Sequence, residues 1–255
     1  MTGAGRAFCA GADMKGGGGL TSLTRGQSAA KDAELDAGLC NDSKGRPFDY
    51  ASYVPKPVIA CINGACAGIG LTIALTCDIR FSSAKTKFTT AFARRGLIAE
   101  GGMSGLLPRL AGTGIAMDLL LSGRVFLADE AQRLGLVQAV FPAESVLDDA
   151  LAYANDMAVN CPVSSTAVIK QQVLKHQWAD PEVALRDSNK LMTNGATKDT
   201  IEGIQSFVQK RAPQFLPFDP ETSQQKMKVE LLQGREENAA LREALQKATE
   251  ALSKL

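Results

Sequence analysis

The sequence predicts an α/β core, then a helical lobe, then an added helical tail. Three observations predict this. Short apolar runs of strand length alternate with helical stretches as far as residue 142. From residue 145 to residue 210 the pattern is helical throughout. Pro213, Pro217 and Pro220 then form a linker, beyond which the composition changes to Gln, Lys, Glu, Ala and Leu. The expected domains are therefore 1–142, 143–217 and 218–255. With 255 residues, 45% of them hydrophobic, the chain is long enough for one good core plus an appendage.

Taken in order, Met1 to Arg6 is a turn, followed by an apolar segment, residues 7–14, broken by Gly11. Residues 16–46 read as a loop with one short helix at 28–39. Val58-Ile59-Ala60-Cys61-Ile62 is a strand. Asn63-Gly64 is turn chemistry, and Gly64, Gly68 and Gly70 let the backbone bend tightly and approach something closely. A buried helix starts at residues 71–75, and strands follow at 77–81 and 85–90. Gly96-Leu97-Ile98-Ala99-Glu100-Gly101-Gly102 is a second glycine-flanked turn. Helices are expected at 106–110, 116–121 and 128–134, with a strand at 136–141. The lobe carries helices at 145–159, 164–177, 181–192 and 197–210.

Composition excludes several functions. A net charge of +1 gives no argument for nucleic acid or an acidic membrane surface. The six cysteines lack metal spacing and mostly sit in apolar runs, as reduced, buried small hydrophobes do in an intracellular compartment. A single histidine, His176, in a polar helical stretch argues against a His-based metal site or a Ser-His-Asp triad. No apolar run reaches membrane-spanning length, and no secretory signal is present. The tail has a heptad-like seam with Asn238 at one polar position and weak points at Gly234 and Ala248. It reads as a solvated or docked single helix, or as a self-associating coiled coil. The chain ends Ser253-Lys254-Leu255, the import address of peroxisomes and related organelles such as glycosomes, read by a receptor.

The chemistry centres on the first glycine turn. A glycine-rich turn that opens a helix leaves backbone N–H groups unpaired at the positive end of the helix dipole. Such a place holds an anion, or an oxygen that becomes one during a reaction. On residues alone it could equally be a tight turn with no ligand.

Four segments together resemble the crotonase (enoyl-CoA hydratase/isomerase) superfamily. Gly5-Arg6-Ala7-Phe8-Cys9-Ala10-Gly11-Ala12-Asp13-Met14 is similar to its first oxyanion segment. Asn63-Gly64-Ala65-Cys66-Ala67-Gly68-Ile69-Gly70 with Cys77-Asp78-Ile79 is similar to the second. The turn at 96–102 with Leu107-Pro108-Arg109-Leu110 resembles the catalytic turn, and residues 119–137 the helix-strand-helix that follows it. The resemblance covers residues 1–217 and excludes the tail. It implies a crotonase-like spiral of ββα turns, a helical lobe that makes trimers or hexamers, and an acyl-CoA substrate with no separate cofactor. It also implies strands and a helix ahead of the first segment, so the core would be N-terminally incomplete, with an exposed sheet edge.

Residue by residue, the resemblance assigns the oxyanion N–H groups to Ala12 and Ile69. It lines the substrate with Ala10, Gly11, Ala12, Asp13 and Met14; Gly68 and Phe92 are further substrate-binding candidates, Phe92 as a wall of the acyl pocket. The hydratases of the family use two glutamates, and this chain has Thr72 and Phe92 in their places. Glu100 instead stands where peroxisomal Δ3,Δ2-enoyl-CoA isomerases carry one catalytic glutamate. Without the resemblance, Glu100 reads as an exposed turn carboxylate or a helix cap. With it, the expected reaction is isomerisation of a 3-enoyl-CoA in fatty-acid β-oxidation. Another crotonase reaction, such as hydration, and an inactive oligomerisation or binding subunit are the competing readings. Asp13 and Asp78 read as capping or structural, and Arg94-Arg95 as a solvated pair or a contact for CoA phosphates.

Overall fold

A computed structural model describes residues 1–11, 50–193 and 197–217. These residues pack as two units, divided between Met157 and Ala158. The helix expected at 28–39, residues 12–14, Cys40, the heptad-patterned tail and Ser253-Lys254-Leu255 lie outside the described residues.

The first unit runs β1 (Ala7–Cys9), β2 (Ile59–Ile62), β3 (Ala65–Ala67), α1 (Ile69–Thr76), β4 (Ile79–Ser83), β5 (Lys87–Thr89), α2 (Met103–Ala111) and α3 (Thr113–Ser122). It continues through β6 (Phe126–Leu127), α4 (Ala128–Arg133), β7 (Ala139–Phe141) and the start of α5 (Val146–Asn160). Two sheets result, in the orders β1-β3-β5-β6 and β2-β4-β7. Each ββα turn gives one strand to each sheet: β2 and β3 precede α1, and β4 and β5 precede α2. Among the described residues, every strand pairing apart from the antiparallel β5–β6 pair is parallel, as crossovers through helices require. This is the crotonase α/β fold that the four segments imply.

The core lies under α1. Gly70, Leu71, Thr72, Ala74 and Leu75 of that helix are all buried, so it is apolar nearly all round, as an interior helix must be. Leu71 packs in one cluster with Met103 and Leu107 of α2, Leu119 of α3, and the stacked rings of Phe88 and Phe126, 5.4 Å apart. A second cluster joins Cys61 and Phe81 to Val146 and Ala150 of α5.

The structure moves several expected boundaries. The strand expected at 77–81 is Ile79–Ser83, because Cys77 closes α1 through its N–H to the Ala74 carbonyl. Asp78 is structural: its Oδ2 accepts the Val58 N–H at 2.7 Å. The strand expected at 136–141 is only Ala139–Phe141, since the N–H groups of Leu136 and Val137 turn back to the Ala131 carbonyl. The strand expected at 85–90 shortens to Lys87–Thr89, with Thr86 turning back to Ser83. The glycine turn at Asn63-Gly64 does not lead straight into a helix, because β3 intervenes.

In the second unit, α6 (Val163–His176), α7 (Pro181–Thr193) and α8 (Lys198–Gln209) follow the helical pattern closely. Lys175 and His176 both meet Asp187 Oδ2, at 2.6 and 3.1 Å, and hold its carboxyl below the ordinary range. Thr197 caps α8 in a reciprocal box with Thr200. Among the described residues, no helix is long and apolar enough to cross a membrane.

Candidate active site

The candidate site is built where the glycine segments meet. Gly68 caps α1 with φ 53 and ψ −121, a conformation that favours glycine, and its N–H donates to the Thr89 carbonyl at 3.0 Å. Intrahelical bonding in α1 starts with the Thr72 N–H, which reaches the Gly68 carbonyl at 3.1 Å. The amides of Ile69 and Gly70 lie ahead of that bond and so have no acceptor within the helix. These are the groups that can hold a developing oxyanion.

The first segment is pinned against this turn. Pairing of β1 with β3 sets Ala7 beside Ala65 and Cys9 beside Cys66. A β-carbon placed on Gly70 would lie 2.2 Å from the Cys9 carbonyl oxygen, so only glycine fits there. Gly11 has φ +98 and lies against the Ala67 carbonyl, where an added β-carbon would stand 3.2 Å away. The chain thus leaves Gly11 beside the Ala67-Gly68 turn. Ala12, Asp13 and Met14, the next residues, lie outside the described residues. Ala10 is exposed and Gly11 half-buried.

The second glycine turn reaches the same place from the other side. Glu100 is half-buried and accepts the Met103 N–H at 3.1 Å through its carbonyl, at the start of α2. A β-carbon placed on Gly101 would lie 3.0 Å from Thr72 Cγ2, 3.5 Å from Thr72 Oγ1 and 3.7 Å from Ile69 Cδ1. The residue after Glu100 therefore rests on the first turn of α1, next to the free amides. The structure brings Gly68, Ile69, Gly11 and the Glu100 turn together. Phe92, 4% exposed, belongs to the core, and its ring lies beside Gly68.

Other candidates are placed elsewhere. Arg94 Nε donates to the Ser122 carbonyl at 2.8 Å and Arg95 donates to the Ala91 carbonyl at 3.1 Å, so both guanidinium groups brace the local backbone. Burial pushes the Cys61 and Cys66 thiols up, which disfavours thiolate and makes either a poor nucleophile near neutral pH. Among the described residues, no group of His, Cys, Asp and Glu is placed to hold a metal ion. Sequence reasoning missed Ala91, a non-glycine residue at φ 62 immediately before Phe92. It also gave Thr72 no positive role. Neither carries a sequence signal: Ala91 is held by a local bond from its N–H to Thr89 Oγ1 at 3.0 Å, and Thr72 meets Gly101 only across segments.

The chain belongs to the enoyl-CoA hydratase/isomerase family, whose profile matches residues 1–217. It is 35% identical over 219 residues to the 1,2-epoxyphenylacetyl-CoA isomerase of Escherichia coli (strain K12), covering 84% of this chain and 79% of that protein. It is 34% identical over 216 residues to the enoyl-CoA hydratase ACTT3 of Alternaria alternata, covering 84% and 69%. The solved enoyl-CoA hydratase of Bacillus anthracis matches with a TM-score of 0.71 at 30% identity, over 84% of this chain and 79% of that one. The protein is thus an acyl-CoA enzyme of the hydratase/isomerase family.

Proposed function

We propose that this enzyme moves the double bond of a 3-enoyl-CoA to the 2-trans position, with Glu100 as a single proton shuttle. The thioester carbonyl oxygen accepts from the Ile69 amide, with Ala12 assigned by the family pattern as the second donor. Glu100 takes a proton from C2, the negative charge collects on that oxygen as a dienolate, and the same carboxyl returns the proton to C4. Atoms balance without a co-reactant. A carboxylate cannot remove such a proton unaided, and a fixed N–H donor is typically worth about 3 kcal/mol of barrier.

One observation carries the reading. The turn bearing Glu100 packs on the first turn of α1, while the two places where hydratases keep their glutamates hold the buried, non-acidic Thr72 and Phe92. Hydration of a 2-enoyl-CoA is the second reading, favoured by the names of relatives such as the Alternaria hydratase. Absorbance separates the two, since isomerisation creates a conjugated thioester and hydration consumes one. Glu100→Gln is expected to lower isomerase turnover by about a hundred- to ten-thousandfold with folding intact. Unchanged turnover would overturn the proposal.

Ser253-Lys254-Leu255 supports delivery to the peroxisome or a related organelle. A fluorescent fusion of the chain should co-localise with that organelle and become diffuse when Leu255 is deleted. A diffuse signal from the unaltered tail would count against it.

A further inference from the structure

We infer that Thr72 is a positioning residue, a β-branched wedge that fixes the distance between the oxyanion amide of Ile69 and the carboxyl of Glu100. The inference rests on the site proposed above but concerns a residue that touches neither substrate nor reacting atoms. Thr72 is fully buried in the first turn of α1. Its two branches serve different segments. Oγ1 bonds the Gly68 carbonyl at 3.4 Å, and the backbone N–H of the same residue bonds that carbonyl at 3.1 Å, so Thr72 ties down the residue preceding Ile69. Cγ2 faces Gly101, so close that a β-carbon there would stand 3.0 Å away.

The turn at 100–102 is anchored at its helical end, where the Glu100 carbonyl accepts the Met103 N–H and the Gly102 carbonyl accepts those of Gly105 and Leu106, while at Gly101 it rests on the side chains of Thr72 and Ile69. Gly102 meets nothing within 4 Å where its β-carbon would be, and Gly101 and Gly102 both have left-handed backbone, φ +61 and +75. Glycine in that region is the most conformationally free residue a chain can use. A carboxyl on such a turn must be held from outside to keep within reach of C2 and C4, and a small misplacement sharply lowers rate. The branched side chain of Thr72 supplies that hold on the side facing Ile69.

The test is steady-state kinetics of 3-enoyl-CoA isomerisation on full-length variants, with thermal melting as a control. Thr72→Ala removes both branches and is expected to lower kcat by about tenfold to a hundredfold, with KM changed by less than about threefold. Thr72→Val keeps the wedge and loses the hydroxyl, and should recover to within about threefold of the parent enzyme. Should the alanine variant not fold, Gly101→Ala gives the same information. It crowds Thr72 on top of the left-handed backbone cost that Gly102→Ala reports by itself, so its kcat should fall further than that of Gly102→Ala, and adding Thr72→Ser should restore the part due to crowding. Wild-type kcat in Thr72→Ala, or a valine variant as impaired as the alanine one, would overturn the inference. So would failure of the serine change to rescue Gly101→Ala. Glu100→Gln measured alongside separates the two proposals: an active Glu100→Gln removes the site itself, whereas an inactive one beside a normal Thr72→Ala removes only the wedge.

Discussion

The two glycine turns of the candidate site use the same residue for opposite reasons. In the segment that runs from the end of β2 through β3 into α1, Gly64 and Gly70 are required by crowding. An added β-carbon would lie 2.1 Å from the Arg6 carbonyl oxygen at the first and 2.2 Å from the Cys9 carbonyl oxygen at the second. In the turn before α2, Gly96 and Gly102 have nothing within 4 Å and are required by backbone angles, φ +68 and +75. The first turn is clamped by the neighbouring chain and offers a fixed donor. The second has open space at Gly96 and Gly102, is tied into α2 through the Glu100 and Gly102 carbonyls, and rests at Gly101 on the side chains of Thr72 and Ile69. An oxyanion donor works best when it does not reorganise, and a base that collects a proton at one carbon and delivers it two carbons away must stay within reach of both.

Substitutions can break this contrast. The largest effect is expected from Gly70→Ala. The clash is with backbone, which cannot swing aside, so a loss above about 4 kcal/mol and no soluble folded product should follow. Recovery of a folded, active Gly70→Ala protein would show that the first turn is not clamped. Gly68→Ala is intermediate. The nearest atom to the added carbon is 3.8 Å away, so space exists, but φ 53 must be held by a residue that resists it. Folding should survive, with kcat reduced about tenfold as the Ile69 amide is turned aside. Gly102→Ala should be mildest, with about 1–2 kcal/mol lost to left-handed backbone, read from urea unfolding, and kcat within about threefold. A Gly102→Ala enzyme as crippled as Gly68→Ala would mean that the second turn is as constrained as the first.

Much of this fold was legible in the chain because its signals are local. The run at 58–62, the buried helix read at 71–75 and found at Ile69–Thr76, and the regular helices of the second unit follow from apolar spacing, glycine and proline. β3 was not legible. Ala65-Cys66-Ala67 has no β-branched or aromatic residue, and it is a strand only because β1 and β5 pair with it on both sides. The two-residue β6 has the same origin, in its pairing with Lys87 and Phe88, and only family resemblance suggested it. The strand ends near residues 77 and 136 were misplaced because backbone turns to Ala74 and Ala131 take those residues out of the sheets. At the site, glycine patterning showed where free amides would be. Glu100 stood out only through the family pattern, and Thr72 not at all, since its meeting with Gly101 is a contact between distant segments.

The parallel pairings carry a kinetic consequence. Strand partners such as Ala7 with Ala65, Ile59 with Ile79, Cys66 with Phe88 and Phe81 with Ala139 lie about 20 to about 60 residues apart. Long stretches must find each other before any sheet hydrogen bond rewards the encounter, so this topology folds slowly for its size. Half-assembled intermediates would lack the converged amides and carboxyl altogether. During refolding from denaturant, turnover should therefore reappear with the last burial of Phe88 and Phe126, after helical signal has already returned.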